Sequence, residues 1–328
     1  MDTNRLILKY VCISLIIYSI MSDTSNCIAS EKTGSDVFGL LKNRDQIIKS
    51  EVPKAATFNT LTDASLFDPN QGSLLKHHSV IWEKSDVKMK IAYHYNQDPV
   101  YVPPGSTYQP INYDKDKRLI VWRFLETYIV LTPEKTEKLD KLQKMYVSPN
   151  GETEKSTGIH NAKHIFHANS RVSGDGDFTF FLLAAGLGFS DYIDANNIEL
   201  VKTSNGNRME INSRGKFGKD TKGKWKLTVD PNTAYFVREA SFTGEGLDKP
   251  SIKISTSSIV DKDGLKYARE THMVCADSFV REYTDIDITL RNNQELRQEV
   301  IQNMESPLPP GSEITDFNEG EPNHTRVK

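Results

Sequence analysis

"GKWKLTVDPNTAYFVREASF", residues 223 to 242, decides the fold. Trp225, Leu227 and Val229 point one way, and Lys224, Lys226 and Thr228 point the other. Asp230-Pro231-Asn232 breaks the ladder, and Tyr235 to Phe242 resumes an extended pattern. Alternation with a period of two is what a sheet with one dry and one wet face requires, so the stretch is a hairpin. Nothing in it is a nucleophile, a metal-ligand set or a phosphate cradle.

The same pattern continues on both sides. Ile198 to Lys202 with Arg208 to Arg214, Ser251 to Val260, Leu265 to Ala276 and Phe279 to Leu290 all read as strands. Their linkers, "SNGN", "FGKDTKGK", "GEGLDKP" and "DKDG", are short and turn-rich. Strands joined this tightly are antiparallel, because a parallel crossover needs a dozen or more residues. Upstream, "SVIWEKSDVKMKIAYHY" is a hairpin turned at Lys84-Ser85-Asp86, and "RLIVWRFLETYIVLTP" is a strand pair turned near Leu125-Glu126. "PEKTEKLDKLQKMYV" reads as a polar helix or turn. "NAKHIFHANSRVSGDGDFTFFLLAAGLGF" reads as a loop followed by a short apolar helix at Phe178 to Leu187.

Helical spacing appears at two further places. Val37, Leu40, Leu41, Ile47 and Ile48 share one side of a helix that Ser35 can cap and Pro53 stops. "NQELRQEVIQNM" is a late helix, and residues 306–328 form a Pro-rich tail, laid along the surface or partly free. The expected class is α+β: one large, curved antiparallel sheet with a few helices covering its concave face.

The chain has 328 residues, 37% hydrophobic and 26% charged, enough for a sizeable core. Its formal net charge of −3 gives nucleic acid no electrostatic footing. The first thirty residues are a separate object. Arg5 and Lys9 precede an apolar run from Tyr10 to Met21, and "SDTSNCIAS" follows. A basic start, a short apolar run and a small-residue exit describe a secretory signal, and the run falls short of the ~20 residues that span a bilayer. Cleavage is expected after Ala29, with residues 30–305 as the folded domain; a lipoprotein anchor at Cys27 is the competing reading, and a retained membrane anchor stands third. Removing residues 1–29 takes two basic and two acidic residues, which leaves the charge at −3, and takes two of the three cysteines. Cys275 alone then remains, so no intramolecular disulfide forms and the exported chain is held by its core.

The candidate chemistry is sparse. His160, His164 and His167 fall at i, i+4 and i+7, which on a helix would line one face for zinc; on a strand His167 faces away. No glutamate stands beside them to act as a general base. "SGDGDFTF" and "DKDG" resemble pieces of calcium loops but lack the full ligand set, and read as turns. No P-loop, dinucleotide fingerprint or nucleophile elbow is present, and no cofactor is expected. Asp285 and Asp287 alternate with Ile286 and Ile288 on a wet face.

What remains is apolar. Leu40, Leu41, Trp82, Met89, Tyr93, Trp122, Phe124, Phe181, Leu182, Trp225, Phe236 and Met273 either fill a core or line a hollow for an acyl chain. Aromatic and methionine side chains suit the second reading because they adapt to a flexible apolar ligand.

This layout resembles a known family. An amphipathic opening helix, Thr-rich and aromatic strands, "VIWEKSDVKMKI" and the turn at residues 229–239 are similar to the LolA/LolB/RseB-like lipoprotein-carrier superfamily. "PLPPGSEITDFN" (residues 307–318) resembles the ends of secreted planctomycete proteins of this type. The early-strand arginine pattern of the family is absent from "WEKSDVKMK". The resemblance implies an unclosed half-barrel plugged by helices. It also implies a periplasmic or secreted, non-enzymatic protein that holds a lipid or an acylated protein partner. Two other readings stay open: a protein-binding sensor or scaffold of the cell envelope with a filled core, and a hydrolase or metal-dependent enzyme.

Overall fold

The computed structural model describes residues 33–63, 73–84, 86–95, 112–114, 116, 118–167, 176–203, 208–217, 221–276, 279–317 and 322–328. The leader read at residues 1–29 lies outside them. Thr33, rather than Ser35, caps the first helix, α1 (Gly34–Lys49). Its hydroxyl accepts from the Asp36 amide while the Asp36 carboxylate accepts from the Thr33 amide, a reciprocal box that satisfies two otherwise orphaned donors.

Seven strands follow α1: β1 (Lys54–Asp63), β2 (Ser73–Trp82), β3 (Val87–Tyr95), β4 (Asn112–Tyr113), β5 (Leu119–Leu131), β6 (Lys135–Val147) and β7 (Thr153–His167). After α2 (Gly176–Ala184) come seven more: β8 (Ile193–Lys202), β9 (Met209–Phe217), β10 (Thr221–Asp230), β11 (Phe236–Gly244), β12 (Ile252–Lys262), β13 (Leu265–Cys275) and β14 (Phe279–Thr289). α3 (Gln294–Glu305), β15 (Glu313–Phe317) and β16 (Asn323–Arg326) end the chain. All strands belong to one sheet, ordered 16-15-7-6-5-3-2-1-14-13-12-11-10-9-8, with β4 beside β5. Two meanders are thus sewn together by β1 pairing with β14, and the sheet stays open at β16 and β8.

The curvature follows from α1. Gly34 lies against Ile198 of β8, and Ile48 near the other end accepts a hydrogen bond from the Trp82 indole of β2 at 3.2 Å. In a flat sheet β2 and β8 stand eight spacings apart, about 38 Å. The helix between the two contacts rises over fourteen residues, only about 21 Å. The sheet therefore curls, and α1 spans it as a chord.

Side chains on the two faces of the sheet go to different places. Val80 and Trp82 join the main core, beneath α1 and α2, whereas Ile81 between them joins Tyr128, Leu139, Leu296, Val300 and Met304 under α3. The late helix thus covers the opposite face to the other two, so the expected helical cover of a single face is divided. Glu299 of α3 fixes it there by accepting from Lys90 Nζ (2.6 Å) and the Tyr128 hydroxyl (3.1 Å).

Four local expectations are corrected. The turn read near Leu125-Glu126 is a bulge, where Phe124 and Glu126 face Leu142 and Lys141 within one continuous strand. The polar helix read after Pro133 is β6, whose backbone pairs with β5 and β7 along its whole length. The loop read over the histidines is β7. The segment expected to run along the surface as a Pro-rich tail instead extends the sheet: β15 pairs parallel to β7, and β16 pairs antiparallel to β15. The edge of β7 offers unpaired amides and carbonyls, and β15 satisfies them. No helix among the described residues is long and apolar enough to cross a membrane.

Candidate functional site: the apolar interior beneath two helices

α2 reads GDFTFFLLA, and from Phe178 to Ala184 it is apolar except for Thr179. A helix of that composition buries most of its surface. It lies in the hollow of the curled sheet. Phe181 stacks on Phe58 of β1 at 4.2 Å between centroids and 7° between planes, and Phe58 stacks in turn on His78 at 4.3 Å. Trp82 meets Phe178 and Phe181 edge-on at 5.6 and 6.1 Å. Phe180 reaches the other half, 5.9 Å from both Phe217 and Phe279. Offset and edge-on pairs of this kind add roughly 0.5–1.5 kcal/mol each beyond the area they bury.

Both helices are tied down at defined points. The carbonyl of Ala184 accepts from the Thr271 hydroxyl (2.7 Å), and that of Ala185 from the Ala268 amide (2.9 Å), which hold the end of α2 to β13. Gly186 follows with φ of +78°, and a Cβ there would stand 2.3 Å from the Phe236 ring. On α1 the buried Asp45 carboxylate accepts from the amides of Gly188 (2.7 Å) and Ser190 (2.9 Å), and Lys49 ion-pairs with Asp191. The Arg44 guanidinium lies over the Phe236 ring at 5.1 Å, and its Nε and Nη2 are buried without a hydrogen-bond partner among the described residues. Burial pushes its pKa below the usual range, against the opposing pull of Asp45.

Leu41, Trp82, Met89, Phe181, Trp225 and Met273 come together in one buried cluster; Leu182 packs against its edge, and Phe236 is buried beside it. Leu40 is half-buried outside that cluster. Trp122 and Phe124 are half-buried on β5, away from both helices, where Trp122 meets His160 at 4.9 Å and Lys138 lies 5.8 Å from Phe124. The Tyr93 side chain lies outside the described residues. Cys275 is buried, and burial pushes its thiol up to about 11, so it is an inert core group.

Sequence reasoning missed the residues that hold the interior together. Phe58, the central ring of the stack, carried a signal in the alternation of β1. Asp45 and Arg44 carried none, because a charged residue beside an apolar helical stripe reads as solvated.

The histidines do not converge. β7 places His160 and His164 on one face about 13 Å apart along the strand and turns His167 to the other. His164 pairs with Asp140 at 3.4 Å, and His167 with Asp316 at 3.0 Å. No group of three His, Cys, Asp or Glu side chains is arranged to hold an ion among the described residues. Asp140 is the buried member of a polar knot, accepting from the Thr127 hydroxyl (2.6 Å) and from Lys138 Nζ (2.8 Å). Burial alone would raise its pKa. The bonds from His164, Lys138 and Thr127 outweigh burial and hold the carboxyl below the usual range.

No family model matches the chain, and no curated protein matches it. Among solved structures it is similar to a DUF1329 family protein from Desulfovibrio piger, at 10% identity, covering 78% of this chain and 92% of that one with a TM-score of 0.39. It is also similar to a LolA superfamily protein from Nitrosomonas europaea, at 13% identity, covering 78% of this chain and 93% of that one with a TM-score of 0.39.

Proposed function

We propose that the chain is an exported, non-enzymatic binding protein whose half-barrel takes up a lipid, or the acyl group of a protein partner, in exchange for the side chains of α2. The observation that carries this reading is the helix itself. A short helix that is apolar from Phe178 to Ala184 except for Thr179 occupies the hollow of a curled sheet, in contact with both meanders. A segment of that composition is what an acyl chain replaces at least cost, since apolar surface stays covered throughout. In this reading residues 1–29 are a leader removed on export, with Cys27 less favoured as an anchor, and α1 holds the mouth of the half-barrel in shape.

A second reading, an envelope sensor or scaffold with a permanently filled core, is favoured by the close fit of Gly186 to Phe236 and of Phe58 to Phe181. Native mass spectrometry of the mature chain, purified without detergent, separates the two. A bound lipid mass that organic extraction removes and added phospholipid restores is the expected result. A single bare-chain mass that stays unchanged after incubation with phospholipid supports the filled core.

A further inference from the structure

We propose that the outward face of β9, β10 and β11, on the far side of the sheet from the apolar interior, binds an anionic oligosaccharide. Trp225, Leu227 and Val229 turn inward, so Lys222, Lys224 and Lys226 turn outward, and on β9 Arg214 and Lys216 do the same. The register sets Lys222 directly opposite Lys216, and Lys224 directly opposite Arg214. Like charges facing each other across two strands oppose the pairing that holds them.

Other outward charges of the sheet are paired: Arg208 with Glu239 at 2.9 Å, and Lys262 with Asp287 at 2.5 Å. Of the five cations here, Lys226 alone sits in an ion pair among the described residues, with Glu210 at 2.9 Å. Among the described residues Lys216, Lys222 and Lys224 sit in no ion pair, and Arg214 acts on Asp194 only at longer range; the two opposed pairs lie one register step apart along the strands, about 7 Å.

Arg214 and Lys224 also line an open groove of about 1040 Å³. Its floor carries the Asn212 amide and the hydroxyls of Ser241 and Thr243. Its sides are the edge strand β8, with Asn197 and Glu199, and the turn after β11, with Glu245 and Asp248. A lone phosphate ion would leave most of that volume empty. A lipid surface calls for exposed apolar groups, and of the lining only Leu247 is a large exposed one, at 55%. Amides, hydroxyls and carboxylates on the sides match the donors and acceptors of sugar rings. The Arg214–Lys224 pair in the groove, with the Lys216–Lys222 pair one step further along the strands beyond the lining, matches acidic groups repeated along a saccharide chain. A merely solvated face would show the mixed polar groups, but not like charges held in register.

Calorimetric titration at low salt with tetragalacturonate, and with uncharged maltotetraose as the comparison, tests the site. Binding of tetragalacturonate that weakens as salt is raised, with maltotetraose at least tenfold weaker, is the expected result. Lys224→Glu converts the pair with Arg214 into one of opposite charge. It is expected to weaken tetragalacturonate binding at least tenfold while raising Tm by roughly 1–3 °C, because the cross-strand repulsion is removed. The proposal is overturned if neither saccharide binds, if both bind equally, or if Lys224→Glu leaves Tm unchanged or lower. Retention on phosphatidylglycerol vesicles without saccharide binding also overturns it, in favour of a membrane surface.

Discussion

Phe181→Ala is expected to cost about 4 kcal/mol of folding stability and, in the same variant, to increase the uptake of cis-parinaric acid several-fold. Phe181 is wholly buried and touches three aromatic neighbours: it stacks on Phe58 and lies within 6.1 Å of Trp82 and 6.0 Å of Phe178. Removing the ring deletes those contacts and leaves an apolar void that β1, β2 and α2 are too constrained to close, since α2 is held at its end by Thr271 and Ala268. An apolar void stays dry, so it is open to a hydrocarbon chain and not to water. Urea denaturation reads the first effect, and probe fluorescence reads the second. A variant that is destabilised but gains no uptake would show that the space belongs to the core alone.

Trp225→Ala is expected to be at least as costly, about 4–5 kcal/mol. The indole is 1% exposed and is ringed by Phe242 (5.1 Å), Phe189 (5.8 Å), Tyr192 (6.1 Å) and Phe217 (6.1 Å). Its Nε1 donates to the Lys216 carbonyl at 3.1 Å, so truncation both opens a cavity and orphans an acceptor. β8 to β10 are also tightly constrained here. A Cβ on Gly215 would stand 1.9 Å from the Tyr192 carbonyl oxygen, which leaves the backbone no room to collapse into the gap. Trp225→Phe keeps most of the volume and is expected to cost about 1–2 kcal/mol. A fall in urea midpoint at unchanged m-value is the measurement, and a loss below 2 kcal/mol for the alanine variant would contradict the packing described.

The second meander, β8 to β14, was legible in the sequence because its strands alternate over most of their length, between bulges, and their linkers are short turns. Lys262 and Leu265, for example, pair directly across Asp263-Gly264. β6 was not legible. Its lysines, glutamate and glutamine favour helix locally, and only the apolar bed under α3 for Leu139 and the partners of Asp140 on the other face make it a strand. α3 was legible as a helix from the spacing of Leu296, Val300 and Met304. Its destination was not, since Ile81, Tyr128 and Leu139 lie far away in sequence. The parallel contact of β15 with β7 is likewise non-local, and no turn announces it. The apolar members of the candidate site could be listed from alternation alone. Their division could not: Trp82 and Trp225 sit within the interior, while Trp122 lies beside Lys144 and His160. That division depends on where two helices lie across a curved sheet, a matter of tertiary geometry.

The most direct measurement follows from Trp82, which meets α2 edge-on and donates to α1. In a Trp122→Phe, Trp225→Phe variant the Trp82 indole is the remaining tryptophan, and stearic acid brominated along its chain quenches an indole only at close contact. Saturable quenching, reversed by unbrominated stearic acid, is the expected result, because the chain takes the place of the α2 side chains beside Trp82. Fluorescence unchanged through the titration, in a variant that retains cooperative unfolding, would mean that no acyl chain enters and that the half-barrel is a filled core.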